Sequence, residues 1–198
     1  MTSKTILIFC IAFLTLFVLL SVLPVNGEEE IYDNMIRLHV IANSDTEEDQ
    51  ALKLLVRDAI LEKATTIKAD DPDEAYIKTE ESIQILEKAA LERIREEGYD
   101  YSIKVTLSEE KYPEREYSGF VLPEGTYTSL RVLIGEAEGH NWWCVLYPPL
   151  CTTAAEEREE AFVAAGFTGE QYEAITESKN KNYKIKFKIV EIIKELFE

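Results

Sequence analysis

Three cysteines, two histidines and a large pool of carboxylates are the residues of this 198-residue sequence that could do chemistry. Cys144 with His140 or His39 is the thiol–imidazole pairing to weigh, because an imidazole that takes the thiol proton makes a nucleophile. His140 and Cys144 stand four apart on what reads as one strand, about 13 Å at the ordinary rise per residue, so they do not meet. His39 would have to approach from another element, with Asn43 or Asp45 to orient it, and nothing in the spacing fixes that geometry. A secreted thiol-dependent or cell-wall-modifying enzyme is therefore one reading, set against thiols that are simply small buried hydrophobes. Two distant histidines and no cysteine pair at ligand spacing do not make a zinc site. Asp45, Glu47, Glu48 and Asp49 open a helix, where carboxylates complement the macrodipole more readily than they bind calcium. There is no Gly-rich phosphate loop, no G-x-S-x-G and no H-E-x-x-H. No catalytic, metal-binding or cofactor-binding residue is assigned, and no cofactor is expected.

The densest stretch runs from Gly135 to Cys151, G-E-A-E-G-H-N-W-W-C-V-L-Y-P-P-L-C. It holds both tryptophans, two of the three cysteines and one of the two histidines. Side chains alternate along a strand, so Trp142 and Trp143 must face opposite ways. Cys144 and Cys151 bracket V-L-Y-P-P-L. Outside the cytoplasm the two fit a bridge across a turn that Pro148-Pro149 helps close, and they equally fit two free buried thiols.

What must position these residues is an α+β chain behind an apolar leader. Residues 1–27 hold a lone Lys4 and an apolar run from Ile6 to Leu23, a length between a signal peptide and a membrane anchor. Export is expected, with residues 28–198 as one exported domain. The leader contributes one of the 21 basic groups and none of the 38 acidic ones, so the exported part is strongly acidic. Such a surface repels nucleic acid and anionic lipid.

Met35 to Ala42 reads as a strand. Ser44 with Glu47 fits a capping box opening a helix to about Lys63. Asp70-Asp71-Pro72 starts a second helix, with Ile83, Leu86, Ala90 and Ile94 as its buried stripe and Gly98 at its end. Tyr101 to Leu107 alternates as a strand, and 109–116 reads as a polar connection. Tyr127 to Ile134 and Asn141 to Tyr147 read as a hairpin. Thr153 with Glu156 predicts a capped helix to about Ala165, a short helix follows Thr168, and the tail reads as a helix from about Lys186. The expectation is a single domain with a mostly antiparallel sheet of about four strands and helices mainly on one face.

The non-core sides of those strands collect cations on an otherwise acidic body. Arg37 and His39, Lys104, Arg131 and one of Trp142 or Trp143 would share an open face. Trp and Arg are enriched where proteins grip one another, so these six residues are the candidate partner-binding set. The alternative is a second face covered by the C-terminal segment, with Arg131 paired to a carboxylate.

Two longer stretches add a resemblance. I-R-L-H-V-I-A-N-S-D-T-E-E-D-Q-A-L-K-L-L-V-R-D-A-I, from Ile36 to Ile60, and S-L-R-V-L-I-G-E-A-E-G-H-N-W-W-C-V-L-Y-P-P-L-C, from Ser129 to Cys151, closely resemble the stage II sporulation protein R family (SpoIIR). The leader, the order of the stretches and the K-F-K-I-V-E-I-I tail are similar too. The resemblance implies a protein made in the forespore and exported into the space between the two sporulation membranes. There it would signal to a membrane-embedded aspartic protease, SpoIIGA, which processes the sigma-E precursor in the mother cell. It implies a signalling ligand rather than an enzyme, and it brings no catalytic residues.

Overall fold

The computed structural model describes residues 34–153 and 157–177, together with residues 4–6, 8–9, 11–13 and 15 near the N-terminus, which are helical. The chain divides into two compact units, Glu29–Asn180 and Met1–Glu28 with Lys181–Glu198. The helix expected from Lys186 lies outside the described residues. Among those residues no helix is long and apolar enough to cross a membrane.

The larger unit is built on a mixed sheet. β1 (Ile36–Ile41) leads into α1 (Glu47–Ala64) and α2 (Pro72–Glu96), then β2 (Ile103–Tyr112). A small excursion, β3 (Arg115–Glu116) paired with β4 (Val121–Leu122), precedes β5 (Gly125–Ile134) and β6 (Asn141–Tyr147). Two short helices close the described part, α3 (Arg158–Ala164) and α4 (Gly169–Glu177). The four long strands lie in the order β2-β5-β1-β6. β1 runs parallel to β5 and antiparallel to β6, and β2 runs antiparallel to β5.

The expected hairpin between β5 and β6 does not form, because β1 is inserted between them. Loop 135–140 instead crosses the end of β1, where Gly139 N donates to Ala42 O (3.0 Å) and Glu138 N to Asn43 O (3.2 Å). Two glycines make that approach possible. A Cβ on Gly139 would lie 2.2 Å from the Ser44 carbonyl oxygen, and one on Gly135, at φ +57°, would lie 2.2 Å from Asn43 Oδ1. Asn43 Oδ1 accepts from Glu136 N and Asp45 Oδ1 accepts from His140 N, so the two ends are clasped by side chains as well.

Every residue of β1 is buried, as expected of a strand flanked on both edges and covered on both faces. One face packs Leu38, Val40, Val105, Leu130 and Val132 against Leu52, Val56 and Ile60 of α1 and Leu86, Ala90 and Ile94 of α2. Ile83 of the expected α2 stripe lies only partly in that core. The other face carries a second apolar cluster. There Tyr112, Tyr127 and Val145 meet Phe120 and Leu122 of the excursion and Phe162, Phe167 and Ile175 from the α3–α4 region.

Three local readings are corrected. The N-cap of α1 is Thr46, whose hydroxyl accepts from Asp49 N (3.3 Å), not Ser44. Ser44 Oγ donates to the Asp49 carboxylate at 2.5 Å instead. β2 continues through 109–112 in register with β5, so the first half of the polar connection expected over 109–116 is strand. α3 starts at Arg158 without a side-chain cap, and Thr153 Oγ1 donates to Pro149 O (2.7 Å); Glu156 lies outside the described residues. Two other starts are as the sequence indicates. Asp71 caps α2 ahead of Pro72, with Glu74 N donating to it at 2.8 Å. Thr168 and Gln171 bond reciprocally at the start of α4.

Candidate functional site

The two stretches that carry the family resemblance become neighbouring strands. β1 and β6 pair with His39 opposite Trp143 and Leu38 opposite Cys144. Period-two alternation then divides their side chains between the two faces. Trp142 and Cys144 join the helix side, while Arg37, His39 and Trp143 join the other. Cys144 and His39 are therefore separated by the sheet, and the thiol–imidazole pairing that the sequence left open is not made. Cys144 is instead placed as a disulfide with Cys151, Cα–Cα 6.0 Å, and Val145 N donates to the Cys151 sulfur at 3.0 Å.

On the second face His39 is 5% exposed and both of its ring nitrogens are engaged. Nδ1 lies 2.9 and 3.1 Å from the two oxygens of Glu110, and Nε2 lies 2.9 Å from Asn141 Oδ1. The same carboxylate accepts from Ser129 Oγ (2.8 Å) and stands 3.4 Å from Arg131 Nε. Ser129 Oγ in turn lies 2.7 Å from the Tyr112 hydroxyl, and Tyr112 serves as the donor once Ser129 donates to Glu110. Burial pushes the Glu110 carboxyl upward, but the Ser129 hydroxyl, His39 and Arg131 outweigh it and hold the group below its ordinary value. Burial is the chief reason that the Tyr112 phenol is pushed up, which keeps it a neutral donor.

Arg37 is fully buried in a box of aromatic rings. Its guanidinium carbon lies 4.0 Å from the centre of Tyr112 and 4.8 Å from that of Tyr127, and Nη2 donates to the Tyr117 hydroxyl. Among the described residues Nε and Nη1 have no hydrogen-bond partner, so the ring faces supply most of the stabilisation.

Both tryptophans are half-buried, and each carries an arginine of this chain. Arg57 of α1 lies 4.7 Å from the Trp142 ring centre, and Arg115 of β3 lies 3.8 Å from that of Trp143, whose other neighbour is the stacked ring of His39. The six candidate contact residues thus separate. Arg37 and His39 lie beneath this chain's own segments, so the face is not open there. Trp142 and Trp143 lie on opposite sides, each partly screened. Lys104 is exposed, and Arg131 is partly exposed beside Glu110.

Glu110 is the central residue of this network, and its role has no local mark in the sequence. It falls in phase with Lys104 and Thr106, three and two pleats further along β2, but the run Glu109-Glu110-Lys111 resembles a loop. Arg57 and Arg115 were equally hidden, since nothing local links them to an indole far along the chain. Among the described residues no cluster of histidine, cysteine and carboxylate is arranged to hold a metal.

Comparison with known proteins agrees with the stretches above. The family model described as "Stage II sporulation protein R (spore_II_R)" matches residues 32–157. That span contains the whole sheet, α1 and α2, the clasp at the end of β1, and both cysteines of the bridge. A relative from Bacillus subtilis (strain 168), "Stage II sporulation protein R", is 33% identical over 84% of this chain and 83% of its own length. No solved structure matches. With the family model covering most of the chain, and the relative a third identical over more than four fifths of it, this chain belongs to the stage II sporulation protein R family.

Proposed function

We propose that the chain is a non-enzymatic signal, exported from the forespore into the intermembrane space, that activates the membrane-embedded aspartic protease SpoIIGA by direct contact. The protease then processes the sigma-E precursor in the mother cell. Family membership supports the sporulation role. The observation that carries the contact reading is how the reactive groups of the two family stretches are used. His39 has both nitrogens bonded within the fold, and Cys144 lies across the sheet from it, joined to Cys151. The groups that a thiol enzyme would need are spent on holding a shape, and a shape is what a ligand presents. Of the six candidate contact residues, Lys104 is exposed and Arg131 partly exposed, neither stands over an aromatic ring among the described residues, and they form the docking end of the sheet in this reading. Reconstitution tests it: the purified chain, added to membranes holding SpoIIGA and the sigma-E precursor, triggers cleavage. Failure to bind any part of SpoIIGA, with no cleavage, would overturn direct activation.

A further inference from the structure

On the helix side of the sheet a cleft of about 490 Å³ opens between the C-terminal half of α1 and the turn that follows β6. Arg57, Asp58, Leu61 and Glu62 form one wall, and Trp142 and Cys151 form the other. The cleft belongs neither to the buried network of the second face nor to the Lys104–Arg131 end.

We infer that this cleft receives a lysine or arginine side chain from a protein partner, seated over the Trp142 indole. The molecule itself shows what the ring accepts, since its own Arg57 guanidinium stands over it at 4.7 Å and is held from behind by Asp58 at 2.6 Å. Arg57 is thus an internal stand-in for the partner's cation. The surroundings suit the same charge. Asp58 and Glu62 are exposed at the rim, and the carbonyl end of α1 adds the negative pole of the helix dipole. Leu61 on one wall and Cys151 of the bridge on the other give apolar surface against which a long alkyl stem can lie. The whole chain carries a formal charge of −17, which draws a cationic segment toward any such rim. The Cys144–Cys151 bridge fixes the Cys151 wall to the strand that bears Trp142.

This assignment rests on the reading that the chain works by touching a protein, but its test does not involve the protease. The full chain is titrated with a blocked Leu-Arg-Leu peptide while the Trp142 indole N–H resonance is followed. A saturable shift is expected with Leu-Arg-Leu and none with blocked Leu-Glu-Leu. Asp58→Lys with Glu62→Lys is expected to weaken binding about tenfold, because a like-charged rim repels the cation. The same charge change on the exposed face of α2, Glu80→Lys with Glu81→Lys, is expected to leave it within about twofold, since neither residue lines the cleft and exposed charges are screened by salt. Arg57→Ala is expected to tighten binding, because the internal competitor is gone. Absence of a saturable shift, equal weakening by both lysine pairs, or weaker binding in Arg57→Ala would each overturn the site. If the peptide titration succeeds while the precursor-cleavage assay fails, the cleft stands and the protease reading falls.

Discussion

Glu110→Gln is the substitution that most directly probes why this fold holds. The carboxylate faces His39 at 2.9 Å, Arg131 at 3.4 Å and the Ser129 hydroxyl at 2.8 Å. Gln keeps the shape and an acceptor for Ser129 but removes the charge. Breaking a fully buried pair costs about 3–5 kcal/mol, whereas a charge-assisted hydrogen bond contributes about 1.5–3 kcal/mol. The Glu110 side chain is 20% exposed, so solvent recovers part of the loss, and about 2 kcal/mol is expected at neutral pH. For a chain of this size that lowers the melting temperature by about 4–8 °C. The pH dependence has a definite sign. The folded-state pKa of Glu110 is lowered, so its contribution is present above the unfolded value of about 4.3 and is lost as pH falls through the folded value. Thermal unfolding of both proteins, followed by circular dichroism across acid pH, should show a gap that is widest near neutrality and closes in acid. Equal melting temperatures at neutral pH, or a gap that persists undiminished well below the glutamate range, would refute the role given to this carboxylate.

Removing the bridge with Cys144→Ala and Cys151→Ala should cost about 2–3 kcal/mol from the closed loop alone, read as a lower urea midpoint. Gly139→Ala drives a methyl into the Ser44 backbone, 2.2 Å from its carbonyl oxygen, and should destabilise by about 1–3 kcal/mol on the same scale. Lys104→Glu with Arg131→Gln should leave the melting temperature within a few degrees yet reduce precursor processing in the reconstituted system; full processing would remove the docking end. Gln is chosen at Arg131 because a carboxylate there would stand against Glu110.

The sequence carries the parts of the fold that depend on local pattern. Alternation placed β1 and β6 within a residue or so and put the tryptophans on opposite faces. The Asp71-Pro72 and Thr168–Gln171 starts follow from side chains reaching their own helix N–H groups. What it does not carry is pairing between distant segments. β5 and β6 are joined by a short loop and read as a hairpin, yet the strand between them comes from the far end of the chain, and parallel pairing leaves no local mark. The second apolar face escaped notice for the same reason. Phe120, Leu122, Phe162 and Phe167 are isolated in sequence and gather only when the excursion and the short helices fold over the sheet. Arg37 and His39 then read as surface cations because strand alternation says which face a residue takes, not whether that face is covered. The alternative weighed for Arg131, a carboxylate partner, is the one found, and that partner sits in a run of charges that hid the last third of β2.

The most direct test of the account is cleavage of the sigma-E precursor by membrane-embedded SpoIIGA with and without this chain, supplied in purified form on the side to which it would be exported. The account predicts that processing depends on the chain, and that it is kept by any variant preserving fold and surface even when no thiol is free to react. Processing at the same rate without the chain, or activation that is lost when a reactive thiol is blocked in a protein that remains folded, would contradict it.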